Sequence, residues 1–204
     1  MTRDMTSPLV LATRNAHKVA ELQRILSSAG LDVELVGLDA FPDVPEVAET
    51  ESTFAGNALL KARAVSQASG LPAVADDSGL CVDALNGMPG VLSARWSGRH
   101  GDDSANLELV LGQVRDVPPL RRGAQFVCAA AYAEPDGSEF VVEGVLEGSL
   151  AEAPRGEHGF GYDPIFIPDG YALTTAELRP HEKDAISHRG QAFRSLTQVL
   201  QGRS

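Results

Sequence analysis

The sequence predicts a mixed α/β domain. Apolar runs of strand length alternate with segments of helical period along the chain. Two longer strand-like runs, Ala124 to Ala133 and Glu139 to Gly148, flank the turn sequence Glu134-Pro135-Asp136-Gly137. Across 204 residues, 43% are hydrophobic and 22% charged, ordinary usage for a globular chain. That length fits one domain, or two lobes sharing one core. A bundle or a sandwich would lack this alternation.

Taken in order, Leu9 to Ala12 reads as a short buried strand. Val19, Leu22, Ile25 and Leu26 follow helical spacing, and Gly30 suits the position after a helix, so residues 16–29 are expected helical. Leu31 to Val36 is a strand candidate, and residues 37–51, rich in Pro and acids, read as a loop. Thr53 caps an expected helix over 54–69 that stops at Gly70. Ala73 to Ala75 and Leu80 to Val82 read as short strands flanking Asp76-Asp77-Ser78-Gly79, and Asn86 to Gly90 as a loop. Residues 104–115 are expected helical, and Arg155 to Tyr162 forms a glycine-rich loop. Ala185 to Leu200 is expected to be one C-terminal helix, with Ile186, Phe193, Leu196, Val199 and Leu200 near one stripe.

Charge and composition exclude several classes. The chain has 17 basic and 28 acidic residues, a net charge of −11. Such a surface repels nucleic acid polymers and anionic membranes, and the basic residues form no tract. It leaves room for a small anionic substrate, because a metal ion and a few placed cations can hold phosphate locally. The longest apolar runs are strand-sized, too short to span a bilayer. Met1 to Ser7 carries no apolar core, so no secretory leader is expected. Cys81 and Cys128 make neither a disulfide framework nor a zinc site, and a cytoplasmic setting is the expectation.

Five segments hold residue types suited to chemistry. Thr13-Arg14-Asn15-Ala16-His17-Lys18 joins a strand to a helix, where backbone N–H groups and the helix dipole favour an anion and Lys18 can reach phosphate. The competing reading is a plain helix cap with a solvated lysine. No Walker A motif occurs. Asp76-Asp77-Ser78-Gly79 follows an apolar strand. Alternation along an extended chain would send its two carboxylates in different directions, one to a hard cation and one to a base position. Otherwise it is an Asx turn with Gly79 at positive φ. Glu46, Glu49 and Glu51 lie in the loop before the 54–69 helix, and one of them could complete a cation site or merely meet water. Asn57 and Lys61 share a face of that helix.

The fourth segment is Gly156-Glu157-His158-Gly159-Phe160-Gly161-Tyr162-Asp163-Pro164. It precedes a strand, which excludes a dinucleotide fingerprint. A glycine-flanked Phe160 can stack on a base, or pack into the core. In the fifth, Lys183 is followed by Ser187-His188-Arg189-Gly190. His188 and Arg189 are donors that favour a carbonyl, and disfavour an amino group, at purine position 6; equally, such a pair can be a surface feature.

Together these segments resemble the inosine triphosphate pyrophosphatase (Ham1-like) family. The resemblance runs in order through Leu11-Ala-Thr-Arg-Asn-Ala-His-Lys18, Glu49-Thr-Glu-Ser-Thr-Phe54, Asn57-Ala-Leu-Leu-Lys-Ala62, Ala75-Asp-Asp-Ser-Gly-Leu80, Pro89-Gly90 with Ser93-Ala-Arg95, Gly159-Phe-Gly-Tyr-Asp-Pro164 and Ala185-Ile-Ser-His-Arg-Gly190. It implies an elongated mixed sheet flanked by helices, with two lobes that are not independent domains, an active site in the cleft between them, and usually a homodimer. It implies Mg²⁺-dependent hydrolysis of XTP, ITP and dITP to the monophosphate and pyrophosphate. Carried over by position, Thr13, Arg14, Asn15, Ala16, His17 and Lys18 bind triphosphate. Glu49 and Asp77, with Asp76 adjacent, match the metal site; Asp77 matches the proton acceptor and Ser78 a substrate contact. Phe160, Gly161, Tyr162, Asp163, Lys183, His188 and Arg189 match the nucleoside-binding positions, with Asn57 and Lys61 as supporting candidates.

Two departures stand out. Gly56 replaces an acid often found before the helix asparagine, and His17 replaces a frequent glycine. Two other readings remain at this level: a Maf-like pyrophosphatase for other modified nucleotides, and a nucleotide sensor without catalysis. The Ser-His-Arg-Gly segment argues against the first and the Asp-Asp pair against the second.

Overall fold

A computed structural model describes residues 8–14, 16–30, 33–45 and 47–202. Among the described residues are seven strands: β1 (Leu9–Leu11), β2 (Leu35–Gly37), β3 (Ala73–Val82), β4 (Met88–Pro89), β5 (Gly123–Ala133), β6 (Glu139–Leu150) and β7 (Phe166–Pro168). The helices are α1 (Ala16–Ser28), α2 (Phe54–Ser69), α3 (Asp103–Gln113), α4 (Pro180–Ile186) and α5 (His188–Gly202). The sheet is mixed, ordered β2-β1-β3-β5-β6-β7 with β4 beside β3. β1 runs parallel to β2 and β3, while β4 on β3 and β7 on β6 are antiparallel. Among the described residues, no helix is long and apolar enough to cross a membrane.

The chain divides into two compact units. The first takes the chain up to Asp77, Cys128–Gly144, and the chain from Arg189. Its core follows from strand alternation. Val74 joins Cys128, Ala130 and Tyr132 in a cluster with Leu22 and Leu26 of α1 and Phe193 and Leu196 of α5. Ala75 joins Ala129, Ala131 and Ala133 in another cluster, with Ala58 and Ala62 of α2. Alanine on both partners lets α2 approach its sheet face closely. The second unit spans Ser78–Val127 and Val145–His188. Its core gathers Leu80, Val82, Phe126, Tyr162, Ile165 and Phe166 around Leu107 and Val110 of α3.

The strongest local signals produce the expected ends. Thr53 Oγ1 accepts the Gly56 N–H at 3.0 Å and caps α2, and Gly70 closes it at φ +68°. The β5–β6 turn closes through Glu134 N–H to Ser138 O at 2.8 Å.

Four expectations are corrected. Asp76 to Gly79 is no turn, because β3 runs unbroken from Ala73 to Val82 and Gly79 has no positive φ. Its glycine is needed for space: a Cβ there would collide with Ser93 Oγ and Gly90 O. The C-terminal helix is two helices, because Ser187 adopts extended ψ of 147° between α4 and α5. Strand β2 is confined to Leu35–Gly37, and Leu31 and Asp32 lie outside the described residues. The loops over 37–51 and 86–90 contain a 3-10 turn at Leu38–Ala40 and strand β4.

Candidate active site

In the first unit, side chains from α1, α2, α5 and the acidic loop meet the middle of β3. Asp76 and Asp77 are adjacent strand residues, so their carboxylates leave opposite faces. Asp76 follows Val74 toward α1 and α5. Its carboxylate lies 3.2 Å from Lys18 Nζ and 3.4 Å from Arg189 Nε. Asp77 follows Ala75 toward α2. Asn57 Nδ2 donates to its Oδ2 at 3.0 Å, and Lys61 Nζ stands 3.6 Å from its Oδ1.

These neighbours drive the two acids apart. Burial raises the Asp76 pKa, but the charges of Lys18, Arg189 and Lys61 outweigh it and hold the group well below the ordinary carboxylate range. Burial also raises Asp77. Lys61 opposes that, but Glu49 and Asp76 add like-charge repulsion, and the pKa reaches about 6. One carboxylate is a fixed anion, and its neighbour is poised to take a proton near neutral pH.

Lys61 links Asp77 to the acidic loop, because its Nζ is 2.8 Å from Glu49 Oε1. Burial works against the ammonium, but Asp77, Asp76 and Glu49 together raise its pKa. Asn57, fully buried, is a fork between the same segments: its Oδ1 accepts the Glu51 N–H at 2.9 Å while its amide serves Asp77. Asn57→Ala would strip both partners at once. We expect about 2–3 kcal/mol lower stability and roughly 10–100-fold lower activity, measured by denaturant midpoint and initial rate.

A divalent ion fits this donor set. Glu49 and Asp77, twenty-eight residues apart in sequence, both lie within 3.6 Å of the Lys61 ammonium, so their oxygens already converge on one cationic centre. Among the described residues, no group of three or more His, Cys, Asp or Glu is placed to hold a metal. Mg²⁺ does not require one, since it is held by one or two carboxylates with phosphate and water completing its shell. Asp76 is paired with two cations, while Glu49 and Asp77 share one, Lys61, so these two would be the ligands of such an ion. Gly56 contributes nothing here, and an acid there would press its Cβ against the Glu51 side chain.

The strand-to-helix segment divides in two. Thr13 O accepts the Leu38 N–H at 2.9 Å. The Arg14 guanidinium donates to Val44 O at 2.9 Å and Leu38 O at 3.3 Å, tying down the loop ahead of the acids. Ala16 and His17 open α1, and Lys18 in its first turn reaches Asp76. Asn15 and Glu46 lie outside the described residues.

In the second unit, the loop over 159–163 presents Phe160 outward, 55% exposed. The ring therefore does not belong to the core. Asp163, nearly buried, organises the loop. Its Oδ2 accepts the Phe160 N–H at 2.9 Å and an ion pair from Lys183, and its Oδ1 accepts Thr175 Oγ1 at 2.9 Å. Lys183 Nζ sits 5.4 Å from the Phe160 ring centroid, a cation over an aromatic face. Gly161, at φ +60°, donates its N–H to Asp103 Oδ2 at 2.8 Å. The Tyr162 hydroxyl donates to Ser93 O at 2.8 Å. His188 stacks on Phe126, with centroids 4.9 Å apart and planes 16° from parallel. Ser78 is half-buried.

Sequence reasoning gave no role to Asp103, Thr175 or Ser93. Asp103 and Thr175 offer no local signal, because their partners lie 58 and 12 residues away. Ser93 stands in the quoted Ser-Ala-Arg segment, where only its partners reveal its use.

The model described as the Ham1 family matches residues 9–199. A dITP/XTP pyrophosphatase of Streptomyces coelicolor is 63% identical over 192 residues, covering 94% of this chain and 96% of the relative. The crystal structure of a nucleoside-triphosphatase / dITP/XTP pyrophosphatase from Mycobacterium abscessus aligns with a TM-score of 0.77 at 57% identity, covering 93% of this chain and 98% of that one. A HAM1 protein from Coxiella burnetii aligns with a TM-score of 0.87 at 43% identity, over 96% and 98% of the two chains.

Proposed function

Because this chain belongs to the Ham1 family, we propose that it is a nucleoside triphosphate pyrophosphatase. It hydrolyses nonstandard purine nucleotides (XTP, ITP and dITP) to the monophosphate and pyrophosphate, with Mg²⁺ and by water attack at the α-phosphorus. The observation that carries this reading is the split pair of acids. Asp76 is locked as an anion between Lys18 and Arg189, while burial and like charge hold Asp77 near neutrality as a proton acceptor.

Mg²⁺, bound by Glu49 and Asp77, would supply Lewis-acid charge to the phosphoryl oxygens. The chain's own residues do the rest. Asp77 takes the proton of the attacking water, and Asn57 fixes the orientation of its carboxylate. Lys18 and Lys61 offset the charge that develops on departing pyrophosphate. Phe160 stacks on the purine and Lys183, held by Asp163, approaches its edge. His188 and Arg189 favour the 6-oxo group. Clearing such nucleotides would keep them out of DNA and RNA; a homodimer and a cytoplasmic location belong to the same proposal.

The test is pyrophosphate release with Mg²⁺ across ITP, dITP, XTP, GTP and ATP. The proposal expects ITP, dITP and XTP to exceed ATP by orders of magnitude in kcat/KM; equal rates on all five would overturn it. Phe160→Ala removes an exposed ring, so the fold should hold. KM for ITP should rise about 10–100-fold, the worth of one base stack.

A further inference from the structure

We propose that Asp103 is a positioning residue for base binding: from the first turn of α3 its carboxylate holds the Gly161 N–H and so fixes the direction in which Phe160 presents its ring to the purine. This deepens the pyrophosphatase reading and rests on it. Every group involved belongs to the second unit.

Asp103 opens α3 but does not cap it. Asp102 does that, its Oδ1 accepting the Ala105 N–H at 3.2 Å. The Asp103 carboxylate instead leaves its own helix. Its Oδ2 accepts the Gly161 N–H at 2.8 Å, from a loop 58 residues further along the chain. The helix is a firm support, because Leu107 and Val110 are buried in the core of the unit.

What the bond controls follows from peptide geometry. Two planar peptide units flank the Phe160 Cα, and their relative rotation sets where the Cα–Cβ bond points. The Phe160 N–H belongs to the first unit and is held by Asp163 Oδ2 at 2.9 Å. The Gly161 N–H belongs to the second and is held by Asp103. One carboxylate thus grips each side of Phe160. Asp163 shapes the loop from within, three residues from its partner, and is so close that a Cβ on Gly159 would collide with it. Asp103 ties the same loop to another element. Gly161, at φ +60°, turns the chain directly after the ring. A ring 55% exposed takes its direction chiefly from its own backbone. A platform held in its working direction before the base arrives saves the cost of ordering it on binding. Asp103 does this without touching the nucleotide.

The test is steady-state kinetics of Asp103→Ala and Asp103→Asn in the full-length enzyme with ITP and Mg²⁺. Each is measured alone and in the Phe160→Ala background, with Tm as a fold check. Asp103 is exposed and Asp102 keeps the cap, so Asp103→Ala should fold, with Tm within about 3 °C of wild type. Its KM for ITP should rise about tenfold, with kcat within about twofold. Asp103→Asn keeps an acceptor oxygen, so its KM should stay within about threefold of wild type. In Phe160→Ala the ring is gone, and Asp103→Ala should then change KM by less than about twofold. A loss carried by kcat would overturn the positioning role, as would Asn doing as much damage as Ala, an undiminished KM effect without the ring, or no effect. A Tm lowered by more than about 10 °C in Asp103→Ala would overturn it too, by marking the carboxylate as structural. If the wild-type enzyme releases no pyrophosphate from ITP, the pyrophosphatase reading itself has failed. If it does, and Phe160→Ala raises KM while Asp103→Ala leaves it unchanged, only the role of Asp103 has.

Discussion

Asp77→Asn should remove most pyrophosphate release and, in the same molecule, raise thermal stability at alkaline pH. Loss of a positioned proton acceptor costs about 10²–10⁴-fold in rate. The stability gain follows from the pKa of about 6 against an ordinary 3.8. A carboxyl raised on folding holds its proton more tightly in the native state. Ionising it therefore costs stability as pH climbs from about 4 to about 6, and the full cost persists above that. Asn cannot ionise, so the variant escapes the cost. Two pKa units correspond to about 2–3 kcal/mol, or roughly 5–10 °C in Tm for a chain of this size. Calorimetry without metal should show the gain near pH 8 and its loss near pH 4. A variant less stable than wild type at both would contradict the burial and repulsion assigned to Asp77. Added Mg²⁺ should raise the Tm of the wild type more than that of the variant, because Asn is the poorer ligand.

Asp76→Asn should act in the opposite sense. It leaves the Arg189 guanidinium, only 4% exposed, and Lys18 without their shared anion. Breaking a buried ion pair from one side costs about 3–5 kcal/mol. Burial alone would raise the Asp76 pKa, but Lys18, Arg189 and Lys61 prevail and depress it. A depressed carboxyl contributes stability in full above its unfolded value near 4 and loses it as pH falls toward the folded value. The deficit of the variant should thus be largest at neutral pH and shrink in acid. Denaturant midpoints at pH 7 and below pH 4 measure it. Neighbouring aspartates whose neutral substitutions shift stability in opposite directions would be hard to explain without the two environments described above.

Much of the fold was legible because its signals are local. Thr53 and Gly70 bracket α2 by capping chemistry, and Pro135 to Gly137 turns β5 into β6. The strand through Asp76 and Asp77 was misread for a definite reason. Gly79 looks like a turn residue, but its need is close approach to Ser93, a neighbour 14 positions away. The break at Ser187 was hidden because no Gly or Pro marks it and the apolar stripe continues through it. At the site, strand alternation correctly separated the two carboxylates. It could not say which would be locked, because Lys18 and Arg189 reach Asp76 from 58 and 113 residues away. The Asn57 fork was only half visible. Its shared face with Lys61 could be read from spacing, but its bond to the Glu51 amide depends on the path of the loop.

In the proposed reaction, water deprotonated at Asp77 attacks the α-phosphorus and expels pyrophosphate. The most direct measurement is ITP hydrolysis with Mg²⁺ in heavy-oxygen water, with both products weighed by mass spectrometry. Attack at the α-phosphorus places one heavy oxygen in inosine monophosphate and none in pyrophosphate. Label in pyrophosphate, or release of inosine diphosphate with orthophosphate, would contradict it.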